Sequence, residues 1–184
     1  FFCNCLSYST TSTCYPNFFL IFRHKLFIPQ LMSNKYLSLL IIISITFLAS
    51  VIGGYVTSQF KEPWYSELQL ASFNPPSWVF APVWTSLYIL MSLAAWNIWH
   101  KYKNTYLLKI YFIHLFFNAS WSVIFFGFHK VFIAFLNLII LIILILYLMK
   151  FYKNLSKLSY FLMIPYLLWS SYALILNLYI VQLN

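Results

Sequence analysis

Five stretches of this chain carry no charged side chain, and each is long enough to cross a bilayer. No Lys, Arg, Asp or Glu falls between Lys35 and Lys61, between Glu67 and Lys101, between Lys109 and Lys130, between Lys130 and Lys150, or after Lys157. A spanning helix takes about 20 predominantly apolar residues. Backbone in lipid must satisfy its own hydrogen bonds, which selects helices for such runs. The pattern predicts an all-α, polytopic membrane protein: a five-transmembrane-helix bundle.

The spans are expected at Leu37 to Ser58, Trp78 to Trp99, Tyr106 to Phe128, Val131 to Met149 and Ser159 to Leu183. Gly53-Gly54 in the first span permits close helix contact. The connection from Gln59 to Ser77 is long and ends on Pro75-Pro76, an extended lead into a helix start. A tight turn with His129 and Lys130 joins the third and fourth spans. Residues 1–31 differ: they are rich in Ser, Thr, Cys and Phe, and their apolar run from Phe18 to Phe22 is cut by Arg23, His24 and Lys25. They read as a non-native or disordered N-terminal extension, with Met32 the expected start and a targeting segment the alternative. Residues 32–184 form the expected membrane domain.

Composition agrees. The 184 residues are 63% hydrophobic and only 7% charged, where soluble domains carry about a quarter charged residues. The net charge of +9 is not a nucleic-acid footprint, because no basic face or dense cluster holds it. It orients the bundle instead. With five spans, nine of the eleven Lys and Arg residues fall on the side of the N-terminal end, and Lys61 and Lys130 fall on the other with both acids. The positive-inside rule then predicts a cytoplasmic N-terminal end in a bacterial inner membrane, with the mitochondrial outer membrane as the alternative. Cys3, Cys5 and Cys14 match neither a disulfide framework nor a zinc site, and no metal site is expected.

Chemistry must come from uncharged groups. The spans hold no Asp or Glu, and Lys109 lies near a span end, which argues against ion pumps, proton relays and carboxylate catalysis. Helical spacing aligns Trp84, Tyr88, Met91 and Ala95 on the second span, and His114, Asn118 and Trp121 on the third. Tyr166, Trp169, Ala173 and Asn177 form a similar stripe on the fifth. Asn118, Asn137 and Asn177 are either hydrogen-bond glue between helices or polar points in an aromatic cavity. The cavity reading suits a large, flat, mostly apolar ligand. His114 is the one mid-helix candidate to ligate a metal or haem.

Particular runs carry a resemblance. They are Trp64-Tyr65, Phe73-Asn74-Pro75-Pro76-Ser77-Trp78-Val79-Phe80-Ala81-Pro82-Val83-Trp84-Thr85 and Leu87-Tyr88, then Asn118-Ala119-Ser120-Trp121 and Phe125-Phe126-Gly127. Pro165-Tyr166-Leu167-Leu168-Trp169, Ala173 and Leu176-Asn177 complete the set. Together they closely resemble the signature of the TspO/MBR family, the tryptophan-rich sensory proteins of bacteria and translocator proteins (peripheral-type benzodiazepine receptors) of mitochondria. The match runs from Met32 to Asn184. It implies a five-helix bundle, commonly a homodimer, that binds porphyrin, haem-type tetrapyrroles, sterols and synthetic ligands beneath the first connection.

By that resemblance the ligand-binding residues are Tyr65, Pro75, Trp84, Tyr88, Asn118, Trp121, Trp169 and Ala173. No cofactor is required, porphyrin or haem is the expected ligand, and membrane lipid surrounds the bundle. Some bacterial relatives degrade protoporphyrin in light, and Trp84 and Trp169 occupy the places of the two tryptophans implicated; no other catalytic residue is assigned. Leu178 and Gln182 stand where the sterol-recognition motif needs a Tyr and a base. Phe116 and Phe117 stand where relatives often have small residues at the dimer contact. Tetrapyrrole binding for transport or sensing, light-dependent porphyrin degradation, and a ligand-free scaffold are the readings that stand open.

Overall fold

A computed structural model of the protein describes residues 34–184, so the expected extension, the three cysteines and Met32 lie outside the described residues. The described residues form α1 (Lys35–Phe60), α2 (Trp64–Glu67), α3 (Ser77–Tyr102), α4 (Thr105–Ser122), α5 (Val131–Leu155) and α6 (Lys157–Leu183). A π-helical turn, Val123–Gly127, continues α4, and there is no strand among them. Five of these elements are long and apolar enough to cross a membrane: α1, α3, α4 with its π turn, α5 and α6. The all-α five-span expectation holds.

Side chains set the helix ends. Asn34 caps α1 by accepting from the backbone N–H of Tyr36 (3.0 Å) and Leu37 (3.3 Å). Asn104 accepts from Leu107 (3.0 Å) at the start of α4, and Ser156 from Ser159 (3.4 Å) at the start of α6. Each satisfies a donor that the first turn leaves unpaired. α5 runs on past the expected Met149 to Leu155 and takes in Lys150 and Lys153. Basic side chains are tolerated there because their stems lie along the helix while the ammonium reaches the interface, and the helix C-terminus favours a positive charge.

The helices close into a ring. α1 packs on α3 and α4, α3 on α6, α6 on α5, and α5 back on α4. The interior is inverted relative to a soluble protein. Leu40, Leu48, Ile113, Phe116, Ile143, Phe161 and Leu168 face outward, while Ser38, Thr46, Ser92, Asn97, His114, Asn118, Asn137, Ser159 and Asn177 are buried. That is the arrangement lipid selects: apolar groups cost nothing outside, and polar groups pair within. Asn97 donates to Ser156 and Ser159 (2.8 Å each), joining α3 to α6. Asn137 donates to the Phe117 carbonyl (2.8 Å) and accepts from Ser120 (3.1 Å), joining α5 to α4.

The Gly53-Gly54 pair divides its work. A Cβ on Gly53 would lie 3.0 Å from Ser122 Oγ, so this glycine is where α1 and α4 approach closely. A Cβ on Gly54 would meet nothing within 4 Å. The expected close contact therefore belongs to Gly53 alone, and Gly54 looks into open space.

Candidate ligand-binding cavity

That space is a cavity of about 500 Å³ in the half of the bundle where α1 ends and α3 begins. The volume falls within the range of small-molecule sites, about 300–1,000 Å³. α1 gives it a wall of small side chains, Ser50, Gly53, Gly54 and Thr57. The other walls are aromatic: Phe80, Trp84 and Tyr88 from α3, Trp121 from α4, and Phe125 and Phe126 from the π turn.

The aromatic wall is built by ring contacts. Trp121 stacks on Phe125 (centroids 5.1 Å, 21°) and meets Phe126 edge-on (5.9 Å, 82°). Trp84 lies against Tyr88 (5.7 Å) and edge-on to Tyr166 (6.3 Å). The π turn matters here. Phe128 N–H bonds back to the Val123 carbonyl (3.0 Å), five residues earlier, and the widened turn buries both Phe125 and Phe126. The expected third span was an uninterrupted α-helix to Phe128, and the structure corrects that. π turns of this kind recur at functional sites.

A lid covers the chamber. Trp64 in α2 stacks on His129 (4.3 Å, 17°) and sits edge-on to Phe125 (5.4 Å), which pins the first connection to the α4–α5 turn. Tyr65 beside it points to Phe125 and Phe126 (6.2 and 5.7 Å). Burial pushes the Tyr65 hydroxyl above its ordinary value, so it stays a protonated donor. Further along, the backbone of Gln69 pairs twice with the Asn184 side chain (3.0 and 3.1 Å).

Beneath the chamber lies a polar chain. Tyr88 donates to Asn118 Oδ1 (2.5 Å), and Asn118 Nδ2 donates to the Tyr166 hydroxyl (3.0 Å). Tyr166 lies 2.8 Å from His114 Nε2, and His114 Nδ1 lies 3.1 Å from the Tyr111 carbonyl. A carbonyl only accepts, so Nδ1 carries the proton of the neutral ring and Nε2 accepts from Tyr166. Both ring nitrogens of His114 are thereby used inside the bundle. No group of three or more potential metal ligands occurs among the described residues.

Of the eight residues expected at the site, Tyr65, Trp84, Tyr88, Asn118, Trp121 and Ala173 line this one cavity. Pro75 does not: Asn74 and Ser77, on either side of the Pro75-Pro76 pair, line it instead. Trp169 does not either. It meets Phe80 edge-on (5.9 Å) and Tyr172 (5.6 Å), and Phe80 stands at the cavity in its place. At 3.6 residues per turn, Trp169 is rotated about 60° from Tyr166, toward the seam with α3. Its buried Nε1 has no hydrogen-bond partner. Asn177 does reach the wall, donating to the Val131 carbonyl (3.1 Å) and accepting from Trp121 Nε1 (3.3 Å) with its amide oriented to suit both.

The structure adds the small-residue wall of α1 and the two π-turn phenylalanines. The first had a signal in the sequence, since Ser50, Gly53, Gly54 and Thr57 follow the i, i+3, i+4, i+7 spacing of a single helix face. The second had a signal too, since Phe125 follows Asn118 and Trp121 at i+7 and i+4, but the π turn that brings Phe126 in beside it had none.

Fold and cavity define a class: an integral, multi-pass helical membrane protein with a ligand-sized, aromatic-walled chamber under a short helical lid. The chain belongs to the TspO/MBR family, whose model matches residues 41–183. It is 32% identical to tryptophan-rich protein TspO of Chlorobaculum tepidum over 83% of this chain and 99% of that one. It is 34% identical to a tryptophan-rich sensory protein of Cereibacter sphaeroides over 76% and 90% of the two chains. Against human translocator protein the identity is 31%, over 71% and 82%.

Proposed function

We propose that this protein binds a flat, mostly apolar ligand of the tetrapyrrole class, porphyrin or haem-type, in the chamber between α1 and α3, and that binding serves transport or sensing. The observation that carries this reading is the cavity itself, about 500 Å³ with stacked rings on one side and small side chains on the other. Rings stack favourably on rings, and a wall of Ser, Gly and Thr leaves width for a planar body. A ligand-free scaffold would have no use for so large a void, because empty volume forfeits packing contacts. Porphyrin breakdown by the pair Trp84 and Trp169 is less well supported, because of those two only Trp84 stands on the wall.

Titration with protoporphyrin IX in detergent, read by tryptophan quenching, tests the proposal. Trp84→Leu is expected to weaken binding about tenfold, the scale of a lost stacking contact in a dry site. Trp169→Leu should change affinity less than about threefold. Equal affinity in wild type and Trp84→Leu would remove the ligand from this chamber.

The proposed topology places the N-terminal end of α1 in the cytoplasm and the lid outside. Lys35, Lys101, Lys103, Lys109, Lys150, Lys153 and Lys157 lie at one end of the described bundle, and Lys61 and Lys130 at the other. In a variant with the native cysteines replaced, a membrane-impermeant maleimide applied to intact cells should label Ser66→Cys and spare Lys153→Cys. The reverse pattern would invert the topology.

A further inference from the structure

The inner walls of the chamber have already spent most of their hydrogen-bond donors. Tyr88, Asn118, Trp121 and Asn177 donate to one another or to neighbouring helices. Thr57, Ser58 and Thr85 each donate to a backbone carbonyl of their own helix (2.8 Å in each case). What remains inside is neutral, chiefly the Ser50 and Ser122 hydroxyls and the Trp84 indole N–H. A ligand acid group placed there would be a buried charge with no cation to answer it, which is strongly unfavourable.

The rim differs. Lys61, at the end of α1, is the one cation among the described residues that line the cavity. Its Nζ donates across the mouth to Ser77 Oγ at the start of α3 (3.3 Å) and lies 5.1 Å from the centre of the Tyr65 ring. The one anion there, Glu62, lies 3.5 Å from Nζ. Glu62 does not claim the lysine firmly. Its carboxyl is exposed, accepts from the Ser66 hydroxyl, and forms a solvent-screened surface pair of the weak kind. Lys130, the other cation at this end among the described residues, borders a separate outer groove with His129, Trp64 and Phe132.

We propose that Lys61 binds an ionised acid group on the ligand, so that the chamber selects a planar amphiphile whose apolar body lies inward and whose carboxylate lies at the mouth. The inference rests on the chamber being a ligand site, and it specifies ligand class and orientation. The lysine exchanges its Ser77 and Glu62 contacts for a charge-assisted bond to a carboxylate shielded by Tyr65 and the lid.

The test compares protoporphyrin IX with its dimethyl ester, which keeps the ring and removes both acids, by quenching titration on purified full-length protein. Lys61→Met is expected to weaken the free acid about tenfold and leave the ester within about twofold. Lys61→Arg should retain the acid. If Lys61→Met weakens acid and ester alike, Lys61 shapes the mouth and reads no charge; if it weakens neither, the acid lies elsewhere. Either result overturns this inference and leaves the chamber reading standing. Failure of both probes to bind the wild-type protein would overturn the chamber reading, and this inference with it.

Discussion

Gly54→Trp is expected to abolish protoporphyrin binding, by at least about 100-fold, in a protein that still folds. The reason is local. A Cβ at Gly54 meets no heavy atom within 4 Å, and the residue lines the chamber. An indole built there enters space the ligand would occupy and has no core to disrupt. A 100-fold loss corresponds to about 2.7 kcal/mol, well within what steric exclusion from a preformed pocket supplies. Gly53→Ala, one residue away, serves as the opposite control. Its Cβ falls 3.0 Å from Ser122 Oγ, so it should lower stability by about 1 kcal/mol, the scale of mild overpacking, and leave affinity nearly unchanged. Size-exclusion profile and thermal melt report folding, and quenching titration reports binding. Wild-type affinity in Gly54→Trp would mean that the ligand binds outside this chamber.

The bundle was readable from charge spacing because lipid imposes one strong rule: charge-free runs of spanning length become helices. The inward stripes were readable for a related reason. Tyr88, Met91, Ala95, His114, Asn118, Tyr166 and Asn177 are all buried, since a polar or bulky residue repeating at helical spacing in an apolar span has a reason to avoid lipid. Rotation within a stripe was less legible. Trp169 shares the α6 face with Tyr166, yet Phe80 on another helix stands between it and the cavity. Which of two aromatics at a seam reaches the ligand depends on interhelical packing, which no single-helix period encodes. The π turn escaped for the same kind of reason, as its sequence, Val-Ile-Phe-Phe-Gly, suits an α-helix equally well. Of the three asparagines, Asn137 is glue between α4 and α5, whereas Asn118 and Asn177 are both glue and wall.

Tyr166→Phe should produce the largest stability loss of any single-oxygen deletion in the bundle, about 2 kcal/mol. The Tyr166 hydroxyl serves two groups on α4 at once: it donates to His114 Nε2 (2.8 Å) and accepts from Asn118 Nδ2 (3.0 Å). All three residues are 5% exposed or less, so water cannot replace the lost partner. An unsatisfied buried polar group costs about 1–3 kcal/mol, but interhelical hydrogen bonds in membrane proteins average only about 0.6 kcal/mol because the unfolded chain finds other partners. Two orphaned groups at a value between those limits give the estimate. For a chain of this size that is a melting-point decrease of about 4–8 °C. Tyr111→Phe is the discriminating comparison. Its hydroxyl meets only Thr46 (2.7 Å), and Thr46 also bonds the Ile42 carbonyl (2.7 Å), so its loss should cost about 0.5 kcal/mol. Adding His114→Leu to Tyr166→Phe removes the orphaned acceptor and leaves only the orphaned Asn118 donor, so the pair should cost less than the sum of the single changes. Melting curves in one detergent for wild type, the three single variants and the double variant would test this, and a Tyr166→Phe protein that melts with wild type would show that the chain from Tyr88 to His114 does not hold α3, α4 and α6 together.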